Sequence, residues 1–152
     1  MFSFVLSLHS ITRWAVLFAL IAVIVKSTRG WIFHKKYTNG DNKLRIASVI
    51  ICHIQLLIGV VLYGISPTIK FLFHNSASAM KIRNIRFFGM EHSVMMIISI
   101  VLITIGSINA KKASTDQKKF KVLSLWYSLA LLIILLMIPW PFSPLAQRPF
   151  LR

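Results

Sequence analysis

Long apolar windows alternate with short polar breaks along the chain, at roughly residues 2–25, 46–65, 87–108 and 122–140. Each window is near the ~20 residues that an α-helix needs to cross a hydrocarbon core about 30 Å thick. None shows the strict two-residue alternation of a barrel strand, which spans in about ten residues. The pattern therefore predicts an all-α fold: an integral membrane four-helix bundle, with residues 1–152 as a single four-helix transmembrane domain. The first window lacks a basic leader and a small-x-small cleavage pattern, so it reads as a retained span rather than a secretory signal.

The breaks carry their own signals. Trp31 to Asn42 reads as a short loop, with Asn39-Gly40-Asp41 as its turn, and Gly64-Ile65-Ser66-Pro67 reads as the stop of the second helix. Between Pro67 and Arg86, Phe71, Leu72, Phe73, Met80, Ile82 and Ile85 interleave with basic residues, as expected of a segment lying in the membrane interface. Residues 138–142, Ile-Pro-Trp-Pro-Phe, end the fourth helix and suit Trp140 to an aromatic belt.

Composition agrees with this pattern. The 152 residues are 57% hydrophobic and only 14% charged, with a mean hydropathy of +0.74, a profile far from that of a soluble domain. The net charge of +15 does not indicate nucleic acid, because the basic residues lie between spans rather than along a folded soluble face. They encode topology instead. The first loop carries Lys26, Arg29, Lys35, Lys36, Lys43 and Arg45, the third carries Lys111, Lys112, Lys118, Lys119 and Lys121, and the segment before the first span carries none. The second loop has Lys70, Lys81, Arg83 and Arg86, and the tail has Arg148 and Arg152. The positive-inside rule then predicts both termini outside, N-out/C-out. The one cysteine, Cys52, falls inside the second span, so no internal disulfide can form.

Ionisable groups inside spans are costly and point to function. The third window opens on Arg86-Phe-Phe-Gly-Met-Glu91-His92-Ser-Val-Met95-Met96, and the first carries His9 and Arg13 four residues apart on one helical face. With a rise of 1.5 Å per residue from the span midpoints, His9 lies about 7 Å and His92 about 9 Å on the outer side of the midplane. His53, on the second span, falls roughly 4 Å on the inner side. His9, Arg13, Glu91 and His92 thus read as one buried polar site. Two imidazoles at matched depth suit the axial positions of a b-type haem held between the first and third spans. Only three histidines lie within spans, so at most one bis-histidine haem fits. Arg13 could neutralise a haem propionate or pair with Glu91.

On the second span, Cys52, Gln55, Gly59 and Tyr63 follow 3-4-4 spacing and form a small, polar stripe suited to close packing or to a polar ligand. His53 lies on another face, either contacting a quinone headgroup together with Gln55 or as a satisfied core histidine. Met96 shares a face with His92, where core filler is the ordinary role. His34 and His74 read as solvated loop residues. The fourth span, with no ionisable side chain in its apolar stretch, reads as a packing wall. No nucleotide loop, nucleophile triad or carboxylate pair points to an enzyme.

Taken together, Leu8-His9-Ser10-x-x-Arg13-Trp14, His53-x-Gln55-Leu-Leu-Ile-Gly59, Tyr63-x-x-Ser66-Pro67 and Arg86-Phe-Phe-x-x-Glu91-His92 resemble a group of small four-span bacterial membrane proteins labelled cytochrome b. The likeness covers nearly the entire length. It implies a multi-pass protein of the bacterial inner (cytoplasmic) membrane with histidine-ligated haem b. On that pattern His9, His53 and His92 are the positions carried over, and His53 is the alternative haem-iron ligand to the pair His9 and His92. Three functional readings stand beside one another. The first is an electron-transfer protein with one haem, exchanging electrons with quinol. The second is a metal site without haem, built from His9, His53, His92 and Glu91. The third is a small accessory subunit of a larger respiratory or membrane complex, whose polar cluster specifies helix packing. The lipid bilayer is the partner common to all three.

Overall fold

A computed structural model of the chain describes residues 1–146 and 148. The tail charge Arg152 lies outside the described residues. Four helices are long and apolar enough to cross a membrane, and no strand occurs among the described residues. The chain is a multi-pass, all-α membrane bundle. Its spans are α1 (Phe2–Ile32), α2 (Asn39–Ile65), α6 (His92–Lys112) and α7 (Asp116–Met137). Three short helices, α3 (Pro67–His74), α4 (Ser76–Ala79) and α5 (Arg83–Arg86), connect α2 to a wide π-turn at Phe87–Glu91 that runs directly into α6.

The spans run further than their apolar windows. Asn39-Gly40-Asp41 is not a loop turn but the first turn of α2, and Trp31 belongs to the end of α1. The reason is a capping box. The Thr38 hydroxyl accepts from the Asp41 amide at 3.4 Å, while the Asp41 carboxylate accepts from the Thr38 amide at 2.8 Å. Two otherwise unpaired helix-end groups are satisfied reciprocally. Lys26 of α1 then bridges to Asp41 at 2.9 Å and clamps the helical hairpin at its base. At the far end α2 stops at Ile65, and Pro67 opens α3, where its missing N–H costs nothing. The fourth span ends at Met137, just before the Pro-Trp-Pro run.

Neighbouring helices form a square, α1 against α2, α2 against α6, α6 against α7 and α7 against α1, with α1 and α6 across one diagonal. The α6–α7 seam is the closest. Gly106 allows it, because a Cβ added there would stand 2.5 Å from the Trp126 Cβ. The α2–α6 seam is the loosest of the four. Leu20, Cys52, Ile103, Leu123 and Tyr127 are fully buried in the core. Phe18, Leu57, Val101, Leu132 and Leu136 point outward and are about half exposed or more, as lipid-facing residues should be.

The end of the bundle that bears the α1–α2 and α6–α7 turns is polar inside. There Arg45 donates to the Ser107 hydroxyl and carbonyl and to Asn42, and Thr28 meets Ser124 at 2.8 Å. These bonds join α2 to α6 and α1 to α7.

Candidate functional site

In the other half of the bundle the loose α2–α6 seam widens into a cavity of about 460 Å³. That size falls within the ~300–1,000 Å³ of small-molecule sites. Its walls are mainly aliphatic: Val16 from α1, Leu56 and Leu62 from α2, Met96 and Ile100 from α6, and Ile134 from α7. The larger polar groups on it are His9 and Arg13 from α1, Gln55 and Tyr63 from α2, His92 from α6, and Arg148 from the tail. Val60, Val94 and Ile97 line the cavity although each is more than half exposed. The mouth therefore opens sideways between α2 and α6, toward lipid.

Each polar group is placed by its helix. His9 packs against Gly59, where a Cβ would come within 3.3 Å of the imidazole Cε1, so glycine makes room for the ring. Its Nδ1 is buried and has no hydrogen-bond partner among the described residues. The backbone behind it is pinned, because the Gln55 amide donates to the His9 carbonyl at 2.9 Å and the Thr12 hydroxyl donates to Gln55. Gln55 thus fixes the α1–α2 register beside the imidazole.

His92 is held differently. Its Nδ1–H donates to the Met137 carbonyl at 2.8 Å, near the end of α7. In a neutral ring the proton then sits on Nδ1 and Nε2 carries the lone pair. A backbone acceptor of this kind is how metal-ligating histidines are commonly oriented. Phe87 and Phe88 flank the ring, with centroids 5.7 Å and 6.2 Å away.

The π-turn sets this arrangement. The His92 amide reaches back five residues to the Phe87 carbonyl, which leaves the next carbonyls short of their usual donors. Side-chain hydroxyls supply the bonds: Ser93 donates to the Phe88 carbonyl at 2.8 Å and Tyr63 donates to the Gly89 carbonyl at 2.9 Å. Gly89 is buried, and a Cβ there would overlap Leu72 of α3.

Arg13 lines the cavity with both imidazoles. Its guanidinium lies 5.5 Å from the Trp14 ring and 5.8 Å from the Trp140 ring. The two indoles meet edge to face at 6.0 Å, so Trp140 folds back onto the bundle. Cation–π contact of this kind helps hold a guanidinium in apolar surroundings.

The structure brings His9, Arg13, Gln55 and His92 to one cavity. It does not bring Glu91 or His53 there. Glu91 pairs with Arg86 at 2.8 Å on the outer face of the π-turn rather than with Arg13. The His53 Nδ1 donates to the Val49 carbonyl at 2.8 Å, one turn back on its own helix, and the ring does not line the cavity. The stripe Cys52, Gln55, Gly59 and Tyr63 lines it in full. No group of three or more His, Cys, Asp or Glu side chains able to hold a metal ion occurs among the described residues. His34 and His74 are exposed. Two participants escape sequence reasoning, the Met137 carbonyl and Arg148, which lies 5.1 Å from the Phe88 ring. A backbone acceptor leaves no trace in residue identity, and a tail arginine reads as a topology charge.

Comparison of the chain with protein-family models, with curated proteins and with solved structures finds no match.

Proposed function

We propose that the chain is a membrane electron-transfer protein that holds one b-type haem in the α1–α6 cavity, with His9 and His92 as its iron ligands. The observation that carries this reading is that two imidazoles, from helices on opposite corners of the square, line the same apolar cavity. The donor set fits the group. Imidazole suits iron, the aliphatic walls suit a flat apolar macrocycle, and Arg13 and Arg148 supply cations for two carboxylates. Haem contributes reversible one-electron chemistry tuned by its axial ligands and by burial.

The chain's own residues supply the rest. The Met137 carbonyl fixes the His92 tautomer, and Gln55 with Thr12 holds the α1 backbone at His9. Gly59 gives the His9 ring its space. The aliphatic lining excludes water and so protects the one-electron couple from proton leakage. The sideways mouth favours a lipid-dissolved partner such as a quinol as electron donor, and we place the protein in a bacterial inner membrane, alone or within a larger respiratory complex. The resemblance to small membrane proteins labelled cytochrome b points the same way.

The test is a reduced-minus-oxidised optical spectrum of detergent-purified protein, with a pyridine haemochrome assay for stoichiometry. We expect a b-type spectrum at about one haem per chain. His9→Ala and His92→Ala should each abolish haem retention, whereas His53→Ala should leave it intact. A colourless, folded protein from haem-supplied cells would reject the reading. Loss of haem only with His53→Ala would reject the ligand pair.

A further inference from the structure

At the end of the bundle remote from the haem cavity, a separate recess of about 260 Å³ lies between the start of α2 and the α6–α7 turn. Tyr37, Thr38, Asn42, Arg45, Lys111 and Lys119 line it, and none of them touches the larger cavity. We propose that this recess binds a phosphate group.

The charge balance carries the inference. Arg45 is only 7% exposed, and burying a guanidinium is costly unless a counter-charge is present. Its hydrogen-bond partners are neutral oxygens, those of Ser107 and Asn42. The chain has only three acidic residues, and each pairs with another base: Asp41 with Lys26, Glu91 with Arg86 and Asp116 with Lys119. No acidic side chain among the described residues is left for Arg45. Lys111 adds a further positive charge at the same recess, beside Lys119, whose ammonium is shared with Asp116 at 3.6 Å.

Hydrogen-bond donors complete the picture. The Tyr37 hydroxyl is buried beside the Arg45 guanidinium and meets no well-aligned hydrogen-bond partner among the described residues. Its ring is fixed by Phe120, with centroids 5.1 Å apart, and by Lys119, whose ammonium lies 5.3 Å from the ring. A guanidinium, two ammonium groups and a phenolic donor around one recess match the charge and the acceptor oxygens of a phosphate. The source is either the headgroup of an anionic phospholipid, which basic recesses at cytoplasmic helix ends accept, or free phosphate.

The experiment uses the full chain in detergent and follows thermal unfolding during titration. The probes are phosphatidylglycerol against phosphatidylcholine, and inorganic phosphate against chloride at matched ionic strength. With phosphatidylglycerol preferred, Lys111→Gln/Lys119→Gln should weaken binding about 25-fold, at about fivefold per lysine. Lys35→Gln/Lys36→Gln, which alters two exposed lysines outside the recess, should leave it unchanged. That result assigns a lipid headgroup. The same variant pattern with inorganic phosphate and no lipid preference assigns free phosphate, and it supports the site equally. If the recess double variant does not fold, Tyr37→Phe takes its place, with about tenfold weaker binding expected. Binding of neither probe, an equal loss with the loop variant, or an unchanged affinity for Tyr37→Phe overturns the proposal.

Discussion

Gly106→Ala isolates the tightest contact in the bundle. The new Cβ would stand 2.5 Å from the Trp126 Cβ and 3.1 Å from its Cγ, where carbon atoms prefer about 3.5–4.0 Å. The overlap is thus roughly 1 Å or more. It cannot be relieved by rotating a side chain, because a Cβ moves only with its backbone. The α6–α7 seam must open, and overpacking of this kind costs about 1–3 kcal/mol. Replacing glycine by alanine in a helix returns about 1 kcal/mol, so the variant should lose up to about 2 kcal/mol net. At ~2–4 °C per kcal/mol for a chain of this size, Tm falls by up to several degrees. The assay is built into the protein. Cys52 is the one cysteine and is fully buried, so a thiol-reactive fluorophore reports unfolding on heating. Gly64→Ala is the control, since nothing lies within 4 Å of a Cβ there, and its Tm should be unchanged or slightly higher. A Tm for Gly106→Ala no lower than that of Gly64→Ala would refute the packing argument.

Two further outcomes follow from the bonds around the site and the base of the hairpin. Tyr63→Phe removes the hydroxyl that serves the Gly89 carbonyl; it should cost about 0.6–1.7 kcal/mol and lower haem occupancy through His92, and full occupancy at unchanged Tm would show that the π-turn needs no such support. Asp41→Ala removes both the capping box and the Lys26 bridge, for an expected loss of about 1–2 kcal/mol, read as a lower Tm in the same Cys52 assay; no change would mean that the hairpin base is held by packing alone.

Where the sequence was legible, a single physical rule sufficed. Hydrocarbon thickness sets helix length, so four windows gave four spans. A 3-4-4 spacing sets a helical face, and Cys52, Gln55, Gly59 and Tyr63 all line one cavity. Rise per residue sets depth, and His9 and His92, matched in depth, line that same cavity. The same face rule separated His53 from Gln55, in agreement with where the two side chains lie.

Where it was not legible, two rules competed or none existed. Asn39-Gly40-Asp41 carries strong turn residues, yet Thr38-x-x-Asp41 is also a capping-box spacing, and reciprocal hydrogen bonds outweigh glycine's reluctance to be helical. The Thr38-to-Asp41 interval was the available signal. Glu91 reads as a partner for Arg13 because both are ionisable groups toward the same end of their apolar windows. Its partner is Arg86, five residues back, a spacing that a π-turn brings into register. Nothing in Phe-Phe-Gly-Met-Glu announces such a turn. It depends on Tyr63 and Ser93, one from another helix, to satisfy the carbonyls it leaves open.

The wide turn at Phe87–Glu91 also works as a phase shifter. One extra residue in the ring of hydrogen bonds advances the helix by about 100°, so residues before it face a direction that an uninterrupted α-helix would not give them. The short helices α3 to α5 and the helix bearing His92 therefore keep separate angular settings along one continuous stretch of chain. Removing a single residue from the turn would rotate the preceding segment by about 100° about the axis of α6 and take away the open carbonyls that Tyr63 and Ser93 serve. In this protein five residues set both the orientation of the short helices and the start of the helix that aims the imidazole.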